Sequence, residues 1–322
     1  MRTLALTLVL VAVSSAQNMP PNSAVYPQKQ AQTGSDVFGI ISHKTVDFLL
    51  QPVPQQNAIR FAQLRQSFID LQCRGPYLRE QPVEDGKNLL CTLPGNAPAT
   101  LPSSEHRAMP LPDPSFGTIL FLAHYEHEGA GQSAVDNWSG AVMLPCLYFA
   151  LASASRNHTF LFAEVDGESG AKVLFDSFTP QQRHVIKGIV ALDDLGLGPA
   201  QYYISPDDSF GNFGNTWLVY QFLQAAADQR TATPVAAIPG GWFKADVTRE
   251  FRHHGIPSIL IHSVDWSTRD LPGSTRDNAS AIDRDTYFNT LTLLSYYAVE
   301  LDKMWPSFAS NTASRPASAR RR

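Results

Sequence analysis

The sequence has 322 residues, 25 Lys and Arg against 29 Asp and Glu, a formal net charge of −4, 43% hydrophobic residues and 3 Cys. These proportions are typical of a globular protein with a large core, and they exclude collagen-like, coiled-coil, disulfide-knot and wholly disordered chains. The mildly acidic balance gives no overall electrostatic attraction to nucleic acid or to anionic membrane. We therefore expect no nucleic-acid partner.

The first 16 residues have the order of an export signal. Arg2 precedes an apolar run from Leu4 to Val13, and small residues follow up to Ala16. The run is shorter than the roughly 20 residues that a membrane-spanning helix needs. We expect cleavage after Ala16, a secreted or periplasmic product and no stable membrane anchor; a short membrane anchor is the alternative interpretation.

The rest of the chain divides into three parts. We predict an N-terminal extension over residues 17–56, a single α/β domain over residues 57–302 and a disordered tail over residues 303–322. The tail is rich in Ser, Ala and Arg and has no apolar period, which is typical of solvated, unfolded chain.

The three cysteines are interpreted from the expected compartment. Cys73 and Cys91 flank a short turn-rich segment, and in an oxidising compartment they are candidates for a disulfide. Cys146 lies in an apolar run, which predicts a buried thiol. Three cysteines cannot all pair within one chain.

Apolar periodicity predicts alternating helices and strands. Residues 57–71 place apolar side chains along one broad helical face, and the proline-rich residues 94–115 predict an irregular loop. Continuous apolar strands separated by helical lengths indicate a three-layer α/β/α fold with a mixed, mostly parallel sheet. The helical face carries Ile59, Phe61, Leu64, Phe68 and Leu71; the further predicted strands are 88–93, 118–125, 159–165, 188–192 and 258–261, and the helices 139–154, 170–178, 216–227 and 285–301.

Polar residues follow the ends of the predicted strands, where ligands bind in open α/β sheets. His124 ends one strand, Asp193 and Asp194 follow another, and Asp136 precedes a helix. Imidazole and carboxylates gathered at one sheet edge favour a catalytic zinc site. Each residue also has an ordinary alternative: Asp136 as a helix cap, the aspartate pair as turn residues, and His124 as a core histidine.

In these segments the sequence resembles the bacterial leucyl aminopeptidase type of zinc exopeptidase, metallopeptidase family twenty-eight. The resemblance extends over residues 57–302 and implies the zinc-aminopeptidase, phosphorylase/hydrolase-like fold. The matching segments are 123–127, 133–140, 166–170, 192–196 and 256–283.

The resemblance implies one complete metal site. Members of the family hold two zinc ions bridged by an aspartate, which corresponds to Asp136. The first zinc also takes a histidine and a second aspartate, which correspond to His124 and Asp193. Glu126, two residues after His124, is expected to orient the imidazole through its other nitrogen.

The second site departs from the family pattern. Aligning Asp166 and Gly170 places Glu168 at the zinc-ligand glutamate and Gly167 at the general base. A one-residue gap instead places Glu168 at the base and Ser169 at the ligand. Gly273 stands where the second-site histidine is expected. We therefore expect one zinc ion and an incomplete second site, with Glu168 as a metal ligand or as the catalytic base.

The expected function is a secreted, zinc-dependent aminopeptidase-type hydrolase that cleaves N-terminal residues from peptides by metal-activated water, impaired by these departures. A lost general base typically costs about 10²–10⁴-fold in rate. Two alternatives stay open: a catalytically inactive relative that binds peptide termini or a small ligand, and a single-zinc acyl transferase similar to glutaminyl cyclases. His262, at a strand end, is a further candidate ligand.

Overall fold

A computed structural model gives the fold. The predicted export signal and tail lie outside the described residues, apart from positions 303 and 304, and only two positions of the predicted helix 216–227 are described. The described residues are 29–33, 36–95, 117–203 and 247–304, together with Leu223 and Ala226.

The described strands form a two-stranded hairpin and a seven-stranded sheet. The hairpin is β1 (Lys29–Thr33) and β2 (Asp36–Ile40). The sheet contains β3 (Leu78–Pro82), β4 (Lys87–Leu93), β5 (Thr118–His124), β6 (Thr159–Val165), β7 (Ile186–Leu192), β8 (Gln201–Tyr203) and β9 (Ser258–His262).

The sheet order is β3-β4-β6-β5-β7-β9-β8. The four central strands β6, β5, β7 and β9 run parallel, while β3, β4 and β8 are added antiparallel at the edges. The mixed sheet with a parallel centre confirms the predicted fold class. Parallel order brings the carboxyl ends of β5, β6 and β7 to one edge.

Helices cover both faces of the sheet. The larger core lies on the face covered by α1, α2, α3 and α7, and a smaller one lies under α4, α5 and α6. The helices are α1 (His43–Leu50), α2 (Asn57–Asp70), α3 (Gly140–Ala152), α4 (Gly167–Ser177), α5 (Pro180–Val185), α6 (Arg249–His253) and α7 (Arg284–Met304). None of the helices in the described part of the chain is both long and apolar enough to span a bilayer.

The buried face of α2 differs from the sequence prediction. Ile59 was placed on the apolar face of α2, but its side chain is 50% exposed. The stripe that enters the core instead contains Arg60, Leu64 and Phe68, spaced four residues apart. The prediction for Ile59 was wrong because an arginine, which we did not count as a core residue, occupies that position of the stripe.

Cys73 and Cys91 form a disulfide that joins the segment after α2 to β4, and Cys146 is a buried free thiol. The bonded cysteines are 18 residues apart and both are fully buried. Closing a loop of this length restricts the unfolded chain and stabilises the native state by about 3 kcal/mol.

We therefore expect the double substitution Cys73→Ser and Cys91→Ser to lower the free energy of unfolding by about 3 kcal/mol. Urea unfolding of the variant and of the parent, each with and without reductant, measures this difference. Reductant should destabilise the parent and leave the variant unchanged. Equal stability of the oxidised parent and the variant would contradict the prediction.

Candidate metal centre

His124 is the last residue of β5 and is 1% exposed. Its Nδ1 lies 2.9 Å from Oε1 of Glu126, and its Nε2 lies 3.2 Å from Oδ2 of Asp193. Nε2 makes no hydrogen bond of acceptable geometry to any described residue. The ring is therefore fixed at one nitrogen and free to bind a metal at the other, which is the usual arrangement of a histidine ligand.

Asp193 follows directly after β7, the strand parallel to β5. Its backbone N–H donates to the carbonyl of Ile261, which extends the pairing with β9 by one residue. Its Oδ1 accepts the backbone N–H of Asp194 at 2.9 Å. These two hydrogen bonds orient Asp193 so that its other carboxylate oxygen, Oδ2, faces His124.

Asp136 lies in a π-helical turn, Ala134–Ser139, that leads into α3. Asp277 holds this turn, because its carboxylate accepts the backbone N–H of Val135 at 2.7 Å and that of Asp136 at 3.2 Å. At the start of α3, a Cβ on Gly140 would lie 2.4 Å from the carbonyl oxygen of Leu192. Only glycine permits this contact, which brings the turn against the end of β7 and Asp136 towards Asp193.

These three side chains each offer one ligand atom, and the three atoms lie within 4.8 Å of one another. One imidazole and two carboxylates suit Zn²⁺, and three protein ligands leave a position for water or substrate. The structure thus brings together His124, Asp136 and Asp193, which the sequence predicted from two strand ends and the start of a helix.

The charged groups of the cluster shift one another's pKa values. Burial, and then repulsion from Asp193, raises the pKa of Asp136 to about 7. Burial alone would lower the pKa of His124, but the carboxylates of Glu126 and Asp193 outweigh it and raise that pKa well above its usual value. A divalent cation bound among these groups would displace such protons and balance the carboxylate charge.

A buried arginine that the sequence analysis missed lies behind this site. Arg60 of α2 is fully buried and donates hydrogen bonds to backbone carbonyls on both sides of the loop between His124 and Asp136. The signal was present in the sequence, because Arg60 has the core spacing of Leu64 and Phe68 on α2.

The family model for Peptidase family M28 matches residues 109–298, more than half of the chain. The chain belongs to this peptidase family. No curated protein sequence matches the chain closely enough to count as a relative.

Solved structures share the fold at low sequence identity. A zinc aminopeptidase from Bacillus subtilis is 16% identical with a TM-score of 0.53, and the match covers 69% of this chain and 52% of that protein, about half its length. The aminopeptidase LapA of Legionella pneumophila is 13% identical with a TM-score of 0.62, covering 80% and 70%. A glutaminyl cyclase of Macrostomum lignano is 17% identical with a TM-score of 0.61, covering 81% and 89%. At these identities the likeness shows the fold alone.

The structure does not bring Glu168 to the three-residue cluster. Glu168 is exposed on the first turn of α4, where it lines a surface cleft of about 390 Å³ with Lys172, Arg249 and His253. The physical reason is the turn between β6 and α4: Gly167 adopts φ +63°, and the chain then directs residue 168 towards α6. Glu168 is thus not among the three clustered ligands, and its role as a ligand or base stays a prediction.

The position of Gly167 also explains why no base stands there. A Cβ on Gly167 would lie 3.0 Å from Oε1 of Glu126, the atom that binds His124. A carboxylate side chain at 167 would start from a left-handed backbone and point at an existing carboxylate. Both the backbone conformation and the nearby Glu126 carboxylate therefore disfavour an acidic side chain at position 167.

Gly273, where the family pattern has a histidine, lies next to the cluster. Its N–H donates to Asp277 Oδ2 at 2.9 Å, the oxygen that also accepts the N–H of Asp136. Its φ is +69° and its carbonyl accepts the N–H of Ala130. The loop therefore closes over the site through its backbone, with no imidazole at this position.

His262 and Asp194 are two further buried titratable residues. His262 ends β9 and is buried; its Nδ1 accepts the backbone N–H of Val264 at 3.1 Å, and burial lowers its pKa to about 3. It is not among the three clustered ligands. Asp194 is buried beside Asp193, and burial followed by repulsion from Asp193 and Asp136 raises its pKa well above the usual range.

Proposed function

We propose that this chain is a one-zinc hydrolase of the aminopeptidase type that acts on peptide amino termini. The observation that carries the proposal is the convergence of His124, Asp136 and Asp193 within 4.8 Å at the carboxyl edge of the sheet. Membership of peptidase family M28 supports hydrolysis of peptides as the class of reaction.

His124, Asp136 and Asp193 would hold the zinc ion. When bound, zinc lowers the pKa of a coordinated water and polarises a carbonyl group. Glu126 holds the imidazole in one tautomer, with its other nitrogen directed to the metal position, and Asp277 fixes the turn that carries Asp136. Each ligand therefore has its own support from the chain, as catalytic metal sites require.

The missing general base implies slow turnover. Gly167 has no proton acceptor in its side chain, and Glu168 lies outside the cluster. Loss of a positioned base costs about 10²–10⁴-fold in rate. We therefore expect activity well below that of an enzyme with the base in place.

The test of the proposal is the metal content and aminopeptidase activity of the parent and of His124→Ala. We expect about one zinc per parent chain, slow release of N-terminal residues, and loss of both in the variant, because two carboxylates alone make a weak zinc site. Asp176→Ala is the control, since Asp176 is an exposed carboxylate paired with Lys172 on α4.

Zinc without turnover in the parent would favour the inactive relative that binds peptide termini, and the observation behind that alternative is the pair of glycines at 167 and 273. Cyclisation of an N-terminal glutamine, tested on the same samples, would favour the acyl-transferase alternative. A parent without metal would contradict the proposed function.

We also propose that the protein is secreted or periplasmic. The support is the export-signal pattern of residues 1–16 together with the disulfide between Cys73 and Cys91, since disulfides persist in oxidising compartments. N-terminal sequencing of the exported product is expected to begin after Ala16. An intact residue 1 in the mature protein would contradict this.

A further inference from the structure

We infer that Arg60 is a positioning residue of the metal centre, which ties the chain segment after His124 to the segment before Asp136. This inference rests on the proposed zinc-binding function. Arg60 donates its hydrogen bonds to backbone carbonyls and to none of the three candidate ligand side chains.

A single guanidinium group bonds both segments. Nη1 donates to the carbonyls of Tyr125 at 3.0 Å and Glu126 at 3.3 Å. Nη2 donates to the carbonyls of Gln132 at 2.6 Å and Ser133 at 3.2 Å. The rigid guanidinium group therefore fixes the distance between the two ends of this loop, residues 125–126 and 132–133.

Arg60 is itself held rigidly. Its Nε donates to the carbonyl of Pro54 at 2.7 Å, and its guanidinium carbon lies 5.6 Å from the ring centroid of Trp138. The side chain is fully buried. A side chain bound on three sides transmits the position of α2 to the loop with little freedom.

The two bonded segments carry the site. Tyr125 and Glu126 directly follow His124, and Ser133 is three residues before Asp136. The side-chain amide of Asn137, the residue after Asp136, also donates to the carbonyl of Glu126 at 2.9 Å. Loss of Arg60 would thus release the Glu126 backbone on one side and the turn of Asp136 on the other.

The charge of Arg60 strengthens these bonds. Burial lowers its pKa to about 10, against the attraction of Glu126, Asp277 and Asp136, so it stays cationic at neutral pH. Hydrogen bonds from a charged donor are stronger than those from a neutral one, so the positive charge reinforces the contacts with both segments.

A second buried arginine provides a matched control. Arg156 is 7% exposed, donates to the carbonyls of Pro94, Leu151, Ala152 and Ala154, and has a pKa lowered by burial. It follows the far end of α3, away from the three ligands. Replacing it removes the same type of buried carbonyl clamp without touching the metal centre.

The experiment compares Arg60→Met, Arg60→Lys and Arg156→Met in the full chain. The zinc dissociation constant is measured by chelator competition. Thermal stability is measured after metal removal, and the visible spectrum is recorded with Co²⁺ in place of zinc. We expect Arg60→Met to weaken zinc binding about 10–100-fold, the range found for partners that orient metal ligands, and to change the Co²⁺ spectrum. Arg60→Lys should lie between, because an ammonium group keeps the charge but cannot span both segments.

Arg156→Met should lower thermal stability but leave the zinc dissociation constant within about twofold of the parent. Arg60→Met with no greater loss of zinc affinity than Arg156→Met would overturn the inference. If Arg60→Met does not fold, Arg60→Lys decides by the same comparison.

A parent that binds no zinc would overturn the proposed function, and Arg60 is then judged by amide hydrogen exchange over residues 125–137. Faster exchange there in an Arg60 variant than in Arg156→Met would support the positioning role. Equal exchange would overturn it.

Discussion

Replacing Asp136 with asparagine is expected to abolish zinc binding and at the same time to stabilise the metal-free protein. The pKa of Asp136 is raised to about 7 in the folded chain, because of burial and repulsion from Asp193. No described residue donates a hydrogen bond to its carboxylate. The ionised side chain therefore costs folding free energy that only a bound cation offsets, and asparagine removes that cost.

The sign of the effect depends on pH. A carboxyl group with a raised folded pKa binds more protons when folded, so it lowers stability as pH rises from its ordinary value of 3.8 through about 7. The stabilisation by Asp136→Asn should be largest above pH 7 and should vanish near pH 4 (about the ordinary carboxyl pKa). A three-unit shift corresponds to about 4 kcal/mol, which is an upper limit because the protein relaxes around the charge.

Thermal unfolding of metal-free parent and variant at pH 8 and at low pH measures this prediction. Asp302→Asn is the control, since that buried carboxylate accepts the backbone N–H of Asn157 at 2.9 Å and of His158 at 2.8 Å, and its neutralisation should destabilise. A lower melting temperature for Asp136→Asn at pH 8 would show that the carboxylate is not a cost to the fold.

Zinc affinity is expected to fall steeply below neutral pH. Zinc must displace a proton from every ligand that is protonated in the free protein. The pKa of Asp136 is about 7, and that of His124 is well above its ordinary value because Glu126 and Asp193 outweigh burial. Below about pH 7 two protons are displaced, so the apparent affinity should change about 100-fold per pH unit.

Above about pH 7 Asp136 is already ionised and gives up no proton to zinc, so the slope should become shallower there. Chelator competition at several pH values between about 5.5 and 8.5 resolves the two slopes. An affinity independent of pH over this range would contradict the proposed ligand set.

The departures from the family pattern have a structural basis. Adding a carboxylate at Gly167 would set it against Glu126, and Gly273 has a left-handed backbone whose N–H binds Asp277. Restoring the family residues one at a time would therefore strain the loop or place like charges together. The left-handed backbone at both positions favours glycine.

The sequence alone predicted the alternation of central strands with helices and the candidate ligands of the metal centre. Continuous apolar strands separated by helical lengths predict a parallel centre. His124 and Asp193 are recognisable because polar residues at the ends of such strands meet at one edge, and Asp136 because it precedes the helix between two of these strands. The helix of α2 was predicted within one residue, Asn57–Asp70 against 57–71.

The tertiary structure decided which side chains reach the site. Glu168 is one residue after a left-handed glycine, and the direction of that turn, which no spacing rule predicts, carries it to the cleft beside α6. Arg60 lies 65 residues before Tyr125 in the sequence, so its bond to that carbonyl exists only once α2 packs on the sheet. Local sequence patterns identify which residues are candidate ligands, whereas the packing of distant segments determines where their side-chain atoms lie.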